Sequence, residues 1–325
     1  MTITTAPPAP PGSPAPALSS RGRAGLSDRL FRGLTLACGL LVLVILGLIA
    51  VATTRRAWPA FADEGMRFFT TTRWAPSADV FGSLPFVYGT VVTAVIALVL
   101  AVPISVGIAL FLSDVAPRRL RRPVSSLVDL LAAIPSVVYG LWGVIVLAPW
   151  ITGVYDRVSD ITSPVPVLST LFAGPSTGRG LFTAGIILAL MVTPIITSIT
   201  REVFDTVPAM AKEAAYALGS TRWEMIRAAV FPHSRAGMIG AVMLGLGRAM
   251  GETIAAALVI GSSARITAQL FGSGDSMAAV IANEFGESGG LHRAALIGLG
   301  VELFALTILV NVVARVVIAR GRRYA

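Results

Sequence analysis

The chain has 325 residues, of which 55% are hydrophobic and only 13% charged. Soluble domains carry about 25% charged residues, and a mean hydropathy of +0.79 points the same way. A soluble enzyme of this length is excluded, because so few charges cannot cover its surface. The 26 Lys+Arg against 17 Asp+Glu make the chain basic, and all but one of the cations are arginine. Basic excess occurs in nucleic-acid binders and in membrane proteins with positive cytoplasmic loops; the apolar composition selects the second, with a lipid bilayer and no nucleic acid as partner. Cys38 is the single cysteine, which excludes an intrachain disulfide framework and a cysteine-rich metal site. His233 and His292 stand far apart in sequence and provide no histidine cluster. No metal, cofactor or catalytic set is expected.

Residues 1–20 hold six prolines and no charge. Such a composition buries no core, so 1–33 is expected as a disordered cytoplasmic tail. It lacks the apolar centre of a signal peptide. Uncharged runs follow at 33–54, 80–113, 130–155 and 180–200. Residues 236–264 are apolar apart from Arg248 and Glu252, and 294–314 apart from Glu302. Each run holds the ~20 residues that cross a bilayer as a helix. The expected fold is therefore all-α, a polytopic membrane protein with six transmembrane helices in 34–319, then a basic cytoplasmic C-terminus, 320–325. With both termini inside, segments 1–33, 113–123, 201–235 and 315–325 carry 17 cations, and the outer segments 53–85, 151–180 and 262–293 carry 8. Arg55 and Arg56 resist this orientation and are outweighed by Arg118, Arg119, Arg121 and Arg122. Pro103, Pro135 and Pro194 lie within spans, as packing bends or as hinges beside a substrate path.

The loop between spans 4 and 5, within 201–234, is the most informative stretch. Pro208 suits a first helical turn, the alanine-rich 209–218 favours helix, and Gly219 can take the left-handed conformation that ends one. Thr221 and Glu224 have capping-box spacing, and Pro232 is expected to close the second helix. Met210, Ala214, Ala217 and Leu218 share one face. That face can slot into a groove on another protein or lie on lipid headgroups.

Arg248 lies 13 residues from Arg235, near mid-bilayer at ~1.5 Å per residue. A charge there costs about 2.5–3.5 kcal/mol, so a partner or a water-filled path is expected. Glu252 is four residues on, on the same helical face, and Glu302 in span 6 is a second candidate partner. Gly247 and Gly251, like Gly245 and Ala249, have the spacing that admits close helix neighbours. A buried structural ion network is the alternative for all three charges.

Glu213-Ala214-Ala215, Gly219, Ala229 and Phe231-Pro232 resemble, in spacing, the EAA motif of ATP-binding-cassette importer permeases. Ala229 and Phe231 replace the usual isoleucine and leucine. The run Arg248-Ala249-Met250-Gly251-Glu252-Thr253 resembles the span-5 signature of phosphate-specific importer permeases. So do Tyr88-Gly89-Thr90, Pro103, Gly107, Ala116-Pro117 and the stretch from Leu130 to Gly143. The likeness covers roughly 80–320. Trp142-Gly143 and Ile254-Ala255-Ala256 are closer to the PstC-type subunit than to its PstA-type partner; Asp129, Ser262 and Ser263 depart from the pattern.

The resemblance implies a type I importer permease in a bacterial plasma membrane. Its coupling residues would be Glu213, Ala214, Ala215 and Gly219, docked on a cytoplasmic ATPase. Its path residues would be Arg248, Glu252, Thr253 and Glu302. In that reading Arg248 meets the anion, Glu252 holds Arg248 when the path is empty, and Thr253 donates a hydroxyl or bonds its own backbone. The implied partners are a second, homologous permease, an ATPase dimer and an extracytoplasmic phosphate-binding protein received by loops 53–85 and 151–180. The chain has no Gly-x4-Gly-Lys-Ser/Thr loop, so ATP hydrolysis belongs elsewhere. A permease for molybdate or sulfate, a secondary anion transporter or channel, and a phosphate-sensing scaffold are the alternatives.

Overall fold

A computed structural model describes residues 23–172 and 177–321. Helix α1 (Arg23–Glu64) leads to α2 (Arg67–Thr70) and an antiparallel hairpin, β1 (Trp74–Ala75) and β2 (Val80–Phe81), in the register Trp74↔Phe81. Then come α3 (Leu84–Leu110), α4 (Arg118–Ala133), α5 (Ser136–Trp142), α6 (Ala148–Thr162) and α7 (Pro166–Phe172). The second half holds α8 (Leu181–Asp205), α9 (Ala209–Ala217), α10 (Arg222–Met225), α11 (Phe231–Met250), α12 (Ile254–Val259), α13 (Met277–Glu284) and α14 (Gly290–Gly321).

Among the described residues the fold is all-α with six membrane-length paths. Five are long and apolar: Ser27–Glu64, Leu84–Val115, Ser136–Thr162, Leu181–Asp205 and Gly290–Val316. The sixth is α11, whose apolar stretch is diluted by His233, Ser234, Arg235 and Arg248. Among the described residues, those up to Ala52 form one compact unit and those from Thr53 another. The first is the apolar part of α1, hydrophobic on all sides, as a lipid-immersed helix is.

Several expected boundaries move. Residues 23–33 of the expected tail are helical, because extending an existing helix is far cheaper than starting one; residues 1–22 lie outside the described part. At the other end Arg320 and Gly321 still belong to α14, and 322–325 lie outside it. The third span begins at Ser136, not 130, since Pro135 breaks the path and leaves 130–133 in α4. The fifth does not run to 264: it ends at Met250.

Pro232 does not end the second loop helix. The path runs unbroken from Arg222 through a π turn, Ile226–Val230, into α11. Two further π turns occur among the described residues, Phe111–Val115 and Gly143–Leu147. Each of the three is followed two residues on by a proline, Pro117, Pro149 and Pro232. A proline orphans the carbonyl four residues back and crowds it. Here those carbonyls belong to Ser113, Ile145 and Ala228, each within a widened turn. The Ser113 carbonyl accepts Arg121 Nη2 at 2.5 Å. Pro103 and Pro194 stay inside continuous helices.

Helix α8 is the hub. Ala94, Ala97 and Ala101 of α3 and Ala241 and Ala249 of α11 pack against its Leu188, Val192 and Ile196. Small residues permit this closeness: a Cβ on Gly245 would meet Ile196 Cδ1 at 2.7 Å, and one on Gly237 would meet Val203 Cγ1 at 2.5 Å. At the other end of α8 the irregular segment 261–276 and the end of α12 are bonded to protein backbone. Gly180 N–H donates to Val259 C=O at 3.0 Å, Leu181 N–H to Gly272 C=O at 3.1 Å, and Gly274 N–H to Ile260 C=O at 3.0 Å. Tyr155 stacks on Phe271 of this segment at 3.8 Å between centroids.

Candidate coupling and translocation sites

The α9–α10 knuckle is built as its residues dictate. Pro208 precedes α9. Gly219 closes that helix at φ +84; its N–H reaches Tyr216 C=O at 2.9 Å, and Ser220 N–H reaches Ala215 C=O at 3.2 Å. These are the bonds that satisfy orphan carbonyls at a glycine stop. Thr221 and Glu224 form a complete capping box at the start of α10. The N–H and hydroxyl of Thr221, both donated to it, hold the Glu224 carboxyl below its usual range.

The knuckle is pinned from below. Ala215 packs on a small core of Phe204, Met225, Ile226 and Val230. Lys212 Nζ meets Asp114 Oδ1 at 2.6 Å, and Ser113 Oγ donates to Asp205 Oδ1 at 3.0 Å. Sequence reasoning did not single out this clamp, because Lys212 and Asp114 lie 98 positions apart. On the outer side, Met210 is 80% exposed and Leu218 88%. Glu213, Ala214 and Ala217 are exposed beside them. An exposed apolar patch of this kind fits a groove on another protein or a lipid surface.

The α11–α12 junction differs from the expectation. Helix α11 stops at Met250, where Gly251 (φ -90, ψ 0) tightens the last turn. Arg248 and Glu252 therefore share no continuous helix, and no ion pair joins them among the described residues. Glu252 Oε1 instead accepts Ala255 N–H at 3.3 Å, at the start of α12. Thr253 Oγ1 donates to Gly251 C=O at 3.3 Å, the local backbone bond. Glu302 is not brought to Arg248 either. It lies towards Ser83, and Glu302 Oε2 and Ser83 Oγ are both buried without a hydrogen-bonded partner.

Arg248 is exposed and opens into a depression of about 630 Å³ between α11 and α14. Its walls include Gly240 and Gly247 of α11 and Asn311, Ala314 and Arg315 of α14. A Cβ on Gly240 or Gly247 would meet nothing within 4 Å. The two small-residue faces of α11 thus divide: Gly245 and Ala249 pack on α8, and Gly247 faces the open depression. Asn311 and Arg315 escaped the sequence reading, where Arg315 served only as a cytoplasmic end charge.

Apolar helices of membrane length, those after Thr53 gathered on α8, make this a multi-pass membrane protein. Residues 101–323 match the family model described as binding-protein-dependent transport system inner membrane component, and the chain belongs to that family. It is 46% identical over 92% of its length to the phosphate transport system permease protein PstC of Mesorhizobium japonicum, covering 92% of that protein. It is 47% identical over 91% to the protein of the same name from Xylella fastidiosa, covering 92% of it. Among solved structures, a bacterial ABC transporter that imports the acidic polysaccharide alginate superposes with a TM-score of 0.54 at 17% identity, over 91% of this chain and 98% of that one. The MetNI methionine ABC transporter superposes with a TM-score of 0.50 at 19% identity, over 74% and 94%. These two share the fold. A permease of this family works within a larger transporter that includes an ATPase.

Proposed function

We propose that the chain is one permease of an ATP-driven inorganic phosphate importer in a bacterial plasma membrane, forming half of the translocation path. Both termini and the α9–α10 knuckle face the cytoplasm, in keeping with the 17 to 8 distribution of cations. The six-helix body at 34–319 pairs with a homologous permease, and an extracytoplasmic phosphate-binding protein delivers the anion. The exposed Glu213–Gly219 face docks in a cleft of the ATPase dimer and transmits its closure to α11 through the unbroken path from Arg222 to Met250.

The observation that carries the reading is Arg248, opening into a depression that no carboxylate lines among the described residues. A guanidinium without a counter-charge suits a small, strongly hydrated oxyanion. The names of the relatives supply the choice of phosphate. The test is uptake of labelled phosphate by vesicles holding the assembled transporter, with and without ATPase. ATP-dependent uptake that excess sulfate and molybdate leave unchanged is expected. Uptake independent of the ATPase, or suppressed by either competitor, overturns the reading.

A further inference from the structure

We propose that Arg315, with Asn311 beside it, forms a second oxyanion station on the path that opens at Arg248. This deepens the phosphate reading and rests on it. Both side chains line the depression that Arg248 enters, but from α14 rather than α11. The α11 wall from Gly240 to Arg248 covers about 12 Å along the helix axis. At its two glycines the wall is bare backbone, leaving space a small anion can traverse.

Two guanidiniums in one depression, with no acidic residue lining it, repel each other unless an anion lies between them. Neither has an ion-pair partner among the described residues. Asn311 adds a neutral donor. One N–H of its Nδ2 is held by Thr307 C=O at 2.8 Å, which leaves the other N–H of that nitrogen for a ligand. Arg248 stands in the last turn of α11, remote from the knuckle, and Arg315 stands near the end of α14. An anion released by Arg248 towards the cytoplasm therefore meets Arg315 next.

The chemistry recognised is a phosphate oxyanion, either the free ion in transit or a lipid headgroup at the bundle edge, and the experiment separates them. The assembled transporter carrying Arg315→Gln, Arg315→Lys or Asn311→Asp is reconstituted in phosphatidylcholine vesicles, with and without anionic lipid. Phosphate uptake, ATP hydrolysis and permease level are read together. R315Q is expected to lower maximal uptake about tenfold, the worth of one charged hydrogen bond. Stimulated ATP hydrolysis and permease level should stay normal, and R315K should recover most of the rate because it keeps the charge. N311D, equal in shape but negative, should lower uptake at least as far. Wild-type uptake by both R315Q and N311D overturns the proposal. A loss seen only with anionic lipid also overturns it, assigning the guanidinium to a headgroup. A wild-type complex that carries sulfate and not phosphate overturns the phosphate reading instead; the same variants then decide the Arg315 station with sulfate.

Discussion

The α9–α10 knuckle and the α11–α12 junction are both breaks between helices at a glycine, and they are made in different ways. Gly219 sits at φ +84, a conformation that side chains resist, and the chain on both sides is held by its own neighbours. Gly251 keeps a negative φ, -90, with ψ 0, which side chains tolerate. The helix that follows the second break is tied to distant chain at its far end, where Val259 and Ile260 accept from Gly180 and Gly274. The knuckle is a local decision of about six residues. The junction joins local bonds at Gly251–Ala255 to a short helix whose end is held by backbone from elsewhere in the chain.

The largest effect tests the junction. Removing the guanidinium with Arg248→Ala should cut phosphate uptake by roughly a hundredfold at normal permease levels, the upper range for a lost charged hydrogen bond. If Arg248 and Glu252 acted as a pair, the exchange Arg248→Glu with Glu252→Arg would restore uptake. The broken helix predicts that it does not. Glu252→Gln should keep most of the rate, since a glutamine oxygen can still accept the Ala255 N–H. Uptake restored by the exchange would show that the path closes into a continuous helix in another state.

A smaller effect contrasts two glycines. Gly219→Val places a β-branched residue in the left-handed region, at a cost of about 1–2 kcal/mol. It should loosen the knuckle and lower phosphate-stimulated ATP hydrolysis several-fold while the permease still assembles. Gly247→Ala lies in regular helix with open space around its new methyl and gains helix propensity of about 1 kcal/mol. Near-normal uptake is expected. Equal losses from the two substitutions would erase the distinction between a conformational glycine and a spacious one.

This contrast also marks what was legible in the sequence. Pro208, Gly219, Thr221 and Glu224 each act within a few residues, so the knuckle could be read position by position. The apolar face of Met210, Ala214, Ala217 and Leu218 was legible too, and it is exposed. Span number followed from uncharged length. Pro135 was read as a bend or hinge inside a span and is the break before it; the break at Gly251 was not legible, because an apolar run looks the same whether one helix or two short ones cross it. Pro232 misled for the opposite reason: it looked like a stop, but a π turn at 226–230 absorbs it. Arg315 was hidden by its place near a helix end, where a cation ordinarily marks topology alone.

The mildest test addresses the segment that holds the end of α12. Asp275 lies within it, 6% exposed, with its backbone carbonyl against Gly89. Burial pushes its carboxyl up to about 7; the Ser276 N–H lowers it, and the charge of Glu284, itself bonded to His292 at 2.8 Å, raises it further. The folded protein therefore holds a proton that the unfolded chain, titrating near 3.8, has released. Stability must fall as pH rises from about 4 to about 7. Asp275→Asn keeps an acceptor for Ser276 and removes the charge. The purified D275N protein should melt at a higher temperature than wild type at pH 8, and the gap should narrow by pH 5 and close only near pH 4. Uptake at neutral pH should change less than for any substitution above. A melting gap that is the same at both pH values would mean that the carboxylate is ionised without penalty and that water reaches the segment. The backbone bonds of 261–276 would then have solvent as an alternative partner, and the junction would lose the constraint that separates it from the knuckle.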